Sequence, residues 1–421
     1  MTTYALVYHR SSDNLKRFIR FLLDMYPMIQ LKKGKEATVG VRHPWIFSGA
    51  IDNKDEKIVH GSMVGVVSAT GSLLGVGSYS SHGSIAVRMM AWDDAVIDSA
   101  WIEKKIRAAN ERRKLLGYGP GTDTTGYRVV FGESDGLPGL VVDRYDDVLV
   151  LQISITTMEN MRTEIVDALT HIFSPRAIVE RSDIGVRRDE GLDAKEGVIY
   201  GETEDAVAYV EHGRASIAYV LQGQKTGAFL DQKDLRDLIE RYAEGKTVAN
   251  VFSYTGASAV AALKGGAESV VNVDSSAFAL AGCEAMLKAN KLSSKKVENV
   301  ESDVFQWFGD RRTPEYDMVI LDPPALIKSQ KDQEEGMKAY HFLNRAALRL
   351  VKTGGIFVTS SCSHFLTEDD FQFVLRRASV QAGVIVRVLA VVGQSTDHPQ
   401  SVYFPESRYL TSYVLQVESR I

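Results

Sequence analysis

The chain has 421 residues with 49 basic and 54 acidic side chains, a formal net charge of −5 that excludes a uniformly basic nucleic-acid coat. One hydrophobic core rarely serves more than about 250 residues, so two or three domains are expected. Two cysteines exclude a disulfide framework and a four-thiolate zinc centre, and no apolar run approaches the ~20 residues of a membrane helix, so a cytoplasmic protein with reduced thiols, no metal and no membrane attachment is expected.

Leu15, Phe18, Ile19, Leu22 and Leu23 recur at helical spacing, which predicts an amphipathic helix over 15–29 in an N-terminal extension, residues 1–29. Over 30–100 the texture changes to short β-like runs divided by glycines, "ATVGV", "MVGVVSA", "LLGVGSY" and "IAVRMMA", the pattern of a small barrel. Residues 101–220 open on the helical "WIEKKIRAANERRKLL", pass the loop "GYGPGTDTTG", and continue through "YRVVFGE", "GLVVDRY", "VLVLQIS", a helical stretch and "AIVERSD". This reads as a small α+β domain. Basic residues collect near both junctions (Lys32, Lys33, Lys35 and Arg42; Lys104, Lys105, Arg107, Arg112, Arg113 and Lys114), either as phosphate contacts or as solvated helix faces.

Over 221–421 apolar strands and helices alternate: "TVANVFSY", "GASAVAALKGG", "SVVNVDSS", "AFALAGCEAMLKANKL", "YDMVILDPP", "MKAYHFLNRAALRLVK" and "GIFVTSS". The fold class is therefore α/β, with a C-terminal doubly wound Rossmann-like sheet preceded by the small barrel and the α+β domain.

Ligands of such sheets sit beyond the carboxyl ends of the strands. The first such end, "VFSYTGASA", has the single glycine Gly256, where a dinucleotide fingerprint wants three around a pyrophosphate. It is a poor phosphate cradle. Asp274, eighteen residues on, ends the next strand and can accept from both ribose hydroxyls; Asp303 in "ESDVFQWF" is placed to reach an adenine edge. A nucleoside gripped by carboxylates without phosphates points to S-adenosylmethionine, although an aspartate after a strand is often only a cap.

"LDPPALIKS" leaves Asp322 at the sheet rim, because two prolines force the chain out of the sheet. Cys362 in "SSCSH" ends the following strand and should neighbour it. A thiolate adding to carbon 6 of a pyrimidine makes carbon 5 nucleophilic, provided an acid meets ring nitrogen 3; Asp322 suits the acid, and the thiol is expected to have a depressed pKa. His364 lies close enough in sequence to assist proton handling. Cys283, inside "ALAGCEAML", is a core thiol.

These segments, with "KKGKEATVGVRHPWIFSGAI", "GESDGLPGLVVDRY", "QKTGAFLDQKDLR" and "DHPQSVYFPESRYL", resemble the PUA-linked, S-adenosylmethionine-dependent rRNA methyltransferases over about residues 30–421. The resemblance implies a PUA RNA-binding barrel and cytosine-C5 methylation of 23S rRNA, free or in a large-subunit precursor. It implies cofactor contacts from Phe252, Ser253, Tyr254, Gly256, Asp274, Ser275, Asp303 and Asp322, with Asp231 and Gln232 lining the same pocket. Cys362 would be the nucleophile. A homodimer is left open. Many RNA cytosine-C5 enzymes carry a second cysteine in a Pro-Cys pair, where this chain has Pro323-Pro324, so the base that removes the carbon 5 proton is unassigned. The competing readings are direct transfer to another base atom, such as guanine N7, and a non-catalytic RNA-binding protein.

Overall fold

In the computed structural model, which describes residues 25–309 and 311–421, four sheets organise the chain. The stripe from Leu15 to Leu23 lies outside the described residues. Met28 and Ile29, placed by periodicity at the end of that helix, belong instead to a strand.

The first sheet contains β1 (Met28–Leu31), β2 (Trp45–Phe47), β3 (Ile51–Lys54), β4 (Met63–Val67), β5 (Leu73–Tyr79) and β6 (Ile85–Ala91), in the order β2-β6-β5-β4-β1-β3. Leu31, Ile46, Val64, Val66, Val87 and Met89, from four of these strands, pack on one another. One sheet can build such a core only by curling on itself. "ATVGV" is a single helical turn, Ala37–Gly40, rather than a strand, closed by Gly40 N–H to Glu36 O and Val41 N–H to Ala37 O. Four residues closing local bonds here leave no run long enough to join the ladder.

Helix α1 (Ser99–Leu115) begins at Asp98, whose side chain accepts the Trp101 N–H at 2.9 Å. It packs on a sheet of β7 (Gly126–Phe131), β8 (Leu140–Tyr145), β9 (Val148–Ile153), β10 (Ala177–Ser182) and β11 (Lys195–Gly201), together with α2 (Arg162–Phe173). Ile102, Ile106, Val142, Leu151, Ile165 and Leu169 form the core between them. The hairpin β12 (Ala206–Glu211) and β13 (Arg214–Tyr219) leads onward.

The last unit comprises α3 (Lys233–Tyr242), β14 (Thr247–Val251), α4 (Ala257–Lys264), β15 (Ser269–Asp274), α5 (Ala277–Ala289), β16 (Val297–Glu301), α6 (Val304–Phe308), β17 (Tyr316–Leu321), α7 (Gln333–Leu350), β18 (Val351–Ser361), α8 (Glu368–Ala382), β19 (Val384–Val392) and β20 (Thr411–Arg420). Its strand order is β16-β15-β14-β17-β18-β20-β19, with β20 antiparallel to both neighbours. Val251 lies opposite Val273 on one side and Leu321 on the other, and Leu321 lies opposite Thr359. The carboxyl ends of β14, β15, β17 and β18 are therefore level. The order reverses between β14 and β17, which is where a doubly wound sheet opens a crevice. Leu235, Val260 and Met286 fill one face of the sheet; Trp307, Leu343 and Phe371 fill the other.

The units are bolted together by polar contacts. Trp45 Nε1 donates to Glu133 Oε1 at 2.9 Å, and its ring meets Phe404 edge-on at 4.7 Å. "HPWIFSGAI" thus spends its indole on an internal joint, while Phe47 stays exposed. The basic group on α1 is largely neutralised. Arg113 and Arg112 grip Asp135, Arg107 grips Glu103, and Lys114 grips Glu111.

Candidate active site

The crevice at the switch point is a cavity of about 540 Å³. Four strand ends and the segment 224–236 enclose it. Of the residues singled out from sequence, Phe252, Ser253, Tyr254, Asp274, Ser275, Asp231, Gln232, Asp322 and Cys362 line it.

The first loop is bent hard. Phe252 and Tyr254 have φ of 60° and 46°, and Gly256 follows at 79°. Non-glycine residues held in this left-handed region cost about 1–3 kcal/mol each, and persist where surrounding contacts over-determine them. Here Ser253 N–H donates to Val273 O at 3.1 Å and Tyr254 N–H to Asp274 Oδ2 at 2.8 Å, while Asp274 Oδ1 accepts from Ser276 N–H at 3.0 Å. Asp274 thereby ties the first loop to the second. Gly256 caps α4 without lining the cavity, and a Cβ there would lie 2.6 Å from Cys283 Sγ. Cys283 is fully buried and its thiol is pushed up to about 11, mainly by burial, as a core thiol should be.

Asp303 stands apart. Its carboxylate accepts the Gln306 N–H at 3.0 Å as the N-cap of α6, and it is exposed outside the cavity lining. The cap engages Oδ1, and the side chain lies outside the lining of the crevice where the cofactor contact was expected. His364 is likewise exposed, with its ring edge against Phe365.

On the other wall, Asp322 Oδ2 accepts from Gln232 Nε2 at 2.7 Å, and Asp231 Oδ2 accepts from Tyr409 O–H at 2.6 Å. Burial, reinforced by the charge of Asp231, raises the Asp322 carboxyl to about 6. Asp231 is held at about 2 although burial opposes its charge, because Lys225, His398 and the Tyr409 hydroxyl favour the carboxylate. Burial and then the Asp322 charge push the Cys362 thiol up to about 11. The expectation of a depressed thiol is overturned for the ligand-free site. Sequence spacing placed the acid beside the thiol correctly but could not show that this acid's charge and the surrounding protein both oppose ionisation.

Lys225, Gln224 and Tyr409 are among the lining groups not singled out from sequence. Lys225 and Gln224 come from the loop before α3, and Tyr409 comes from the turn before β20. None follows a strand of the parallel sheet, although "QKTGAFLDQKDLR" and "DHPQSVYFPESRYL" contain them.

Ser253 Oγ and Asp231 Oδ1 are buried without a hydrogen-bond partner, in a crevice that offers carboxylates, aromatic rings and no glycine-rich phosphate cradle. That set fits a nucleoside joined to an amino acid, as in S-adenosylmethionine. Fold and cavity define the class, an S-adenosylmethionine-dependent methyltransferase with a separate β-barrel domain ahead of it. Residues 29–92 match the family model of the PUA-like domain, and residues 167–384 match that of S-adenosylmethionine-dependent methyltransferases. Ribosomal RNA large subunit methyltransferase I of Klebsiella pneumoniae is 36% identical over 397 residues, 93% of this chain and 99% of that protein. The Escherichia coli O157:H7 protein of the same name is 36% identical over 391 residues, 92% and 98% of the two chains. The chain belongs to the ribosomal RNA large subunit methyltransferase I family. Among solved structures, a putative SAM-dependent methyltransferase from Streptococcus mutans shares the fold, with a TM-score of 0.80 and 24% identity over 93% of this chain and 100% of that one. A putative methyltransferase complexed with SAH shares it equally, with a TM-score of 0.80 and 24% identity over 93% and 99% of the chains. No described helix is long and apolar enough to cross a membrane.

Proposed function

We propose that this protein methylates carbon 5 of a cytosine in 23S ribosomal RNA, with Cys362 as the nucleophile and Asp322 as the acid. The observation that carries this reading is the sharing of one cavity wall by a thiol and a carboxyl raised to about 6, at the ends of adjoining strands. The large-subunit RNA substrate is supported by the names of the relatives, and RNA binding by the PUA-like domain.

S-adenosylmethionine, when bound, supplies an activated methyl group. Asp274, Ser275, Phe252, Ser253 and Tyr254 would hold it, with Asp231 and Gln232 lining the same cavity. Asp274 would accept from the ribose hydroxyls, its orientation set by the two backbone amides it already accepts from. The target base leaves its stack at a cost of a few kcal/mol, which favours loops or incompletely assembled RNA. The Cys362 thiol first loses its proton to solvent; the thiolate Sγ then bonds to carbon 6 while Asp322 gives its proton to nitrogen 3. The ring becomes an enamine whose carbon 5 can take up the methyl group. Water, in the absence of an assigned side chain, takes the carbon 5 proton; the Sγ–C6 bond breaks to return the Cys362 thiolate, and nitrogen 3 returns its proton to Asp322.

The test is Cys362→Ser with RNA containing 5-fluorocytosine, on which the elimination step cannot proceed. The wild-type protein is expected to form a covalent complex and the variant none, with methyl transfer down at least about a thousandfold. Normal methylation by the variant would instead indicate direct transfer to another base atom.

A further inference from the structure

Cys362 must ionise to attack, yet burial and a neighbouring carboxylate both oppose its charge. Among the described residues lining the cavity, the cations are Lys225 and Arg236. Arg236 is committed elsewhere, with both arms on the Glu211 carboxylate at 2.6 Å. Lys225 forms no ion pair with any described residue, and its ammonium lies over the Phe229 ring, 4.5 Å from the centroid.

The loop carrying it is anchored on both sides. Gln224 N–H donates to the hydroxyl of Tyr254, in the bent loop after β14, at 3.0 Å. Thr226 Oγ1 donates to the buried Asp143 at 2.7 Å. Between these two anchors Lys225 itself is held at φ 53°, a conformation that a lysine adopts only under constraint. On the glycine side the fit is equally close, since a Cβ at Gly223 would lie 2.4 Å from Tyr219 O. The loop thus fixes one ammonium, unpaired among the described residues, on the rim of a cavity lined by the Cys362 thiol and the carboxylates of Asp231, Asp274 and Asp322.

We infer that Lys225 is a positioning residue whose ammonium favours the Cys362 thiolate, so that attack on the flipped pyrimidine is possible near neutral pH. This rests on the reading of Cys362 as nucleophile. In the open cleft, water screens the ammonium. Once RNA and cofactor fill the cavity, the same charge acts through a less polar medium and counts for more. Lysine suits this place as a compact point charge on a flexible stem, where arginine would seek a planar two-point partner.

The test is the pH dependence of iodoacetamide alkylation at Cys362 in the full chain, read by peptide mass spectrometry, for wild type, Lys225→Met and Lys225→Arg. The fully buried Cys283 serves as the internal reference. Alkylation follows the thiolate fraction, so the Met variant should react about two- to threefold more slowly at pH 8, with its profile displaced to higher pH. The Arg variant keeps the charge but not the compact head, so its profile should lie between those of wild type and the Met variant. Adduct formation on 5-fluorocytosine RNA should slow further in the Met variant and recover as pH is raised. Superimposable alkylation profiles would overturn the inference; weaker RNA binding with an unchanged profile would make Lys225 a phosphate contact instead. If wild type alkylates normally at Cys362 but forms no adduct with the RNA, the nucleophile reading fails separately.

Discussion

Gln232 Nε2 donates to Asp322 Oδ2 at 2.7 Å, joining the segment before the parallel sheet to the double-proline turn that ends β17. The amide bonds the charged form of the carboxyl and so works against the burial that lifts Asp322 to about 6. In the proposed reaction the acid must be protonated when the thiol is not, so the two titrations together set the pH profile.

The ligand-free protein should show kcat/KM rising about tenfold per pH unit up to about 6 and then level toward about 11, because each loss of the Asp322 proton is offset by a gain of thiolate. In Gln232→Leu the carboxyl loses its hydrogen bond, its pKa rises, and the lower break moves to higher pH. Initial rates at low RNA concentration between pH 5 and 9 measure this. An unmoved break would show that Asp322 is not the titrating acid.

Asp274→Ala removes the acceptor for Tyr254 N–H and Ser276 N–H together. Hydrogen bonds to a charged group contribute about 1.5–3 kcal/mol each, so S-adenosylmethionine affinity should fall at least about tenfold by calorimetry, without loss of the fold. Asp274→Asn keeps one acceptor oxygen and should lie between. Unchanged affinity in the alanine variant would remove Asp274 from the cofactor site.

Much of this site was legible because a parallel sheet puts ligand-binding groups at the ends of its strands. Asp274, Asp322 and Cys362 each follow an apolar strand, and all three line the cavity. Asp303 also follows a strand, but its side chain caps the next helix. Lys225, Gln224 and Tyr409 were not legible, since they arrive from segments brought in by tertiary packing. The direction of the Cys362 shift was not legible either, because the burial that chiefly raises it, with the Asp322 charge next and Asp231 after, is a property of the fold. In the barrel, "ATVGV" has strand-forming composition yet closes one helical turn, a preference too weak to withstand local hydrogen bonds.

Gly256→Ala should be costly in two separable ways. Its φ of 79° strains any side chain by about 1–2 kcal/mol, and the new Cβ would lie 2.6 Å from Cys283 Sγ. Adding Cys283→Ala takes away the sulfur but neither the strain nor the 3.1 Å approach to the Cβ of residue 283. The double variant should therefore recover part of the lost thermal stability. Additive losses would show that the glycine matters only for its backbone angle.

Asp397 tests how the units are held in register. Its Oδ2 accepts from Lys233 Nζ at 2.6 Å, with both side chains fully buried, and also from Arg128 N–H in β7 at 2.8 Å; Oδ1 faces His398 Nδ1 at 3.0 Å. Arg113 of α1 donates to its backbone carbonyl at 2.7 Å. One carboxylate thus joins the middle sheet, the start of α3 and the turn leading to Tyr409. Removing it strands the Lys233 charge, and breaking a buried pair from one side costs about 3–5 kcal/mol. Asp397→Ala should lower the unfolding free energy by about that much, while Asp397→Leu with Lys233→Met should lose markedly less. Lys233 and His398 hold the Asp397 pKa well below its ordinary value against burial. The stability it contributes is therefore present above the unfolded carboxyl's value of about 4 and drains away as pH falls below it. Denaturant unfolding of wild type and Asp397→Ala at pH 7 and pH 3.5 should show the gap between them narrowing at the lower pH. A gap of constant size would mean that the carboxylate's charge plays no part in holding the three segments together.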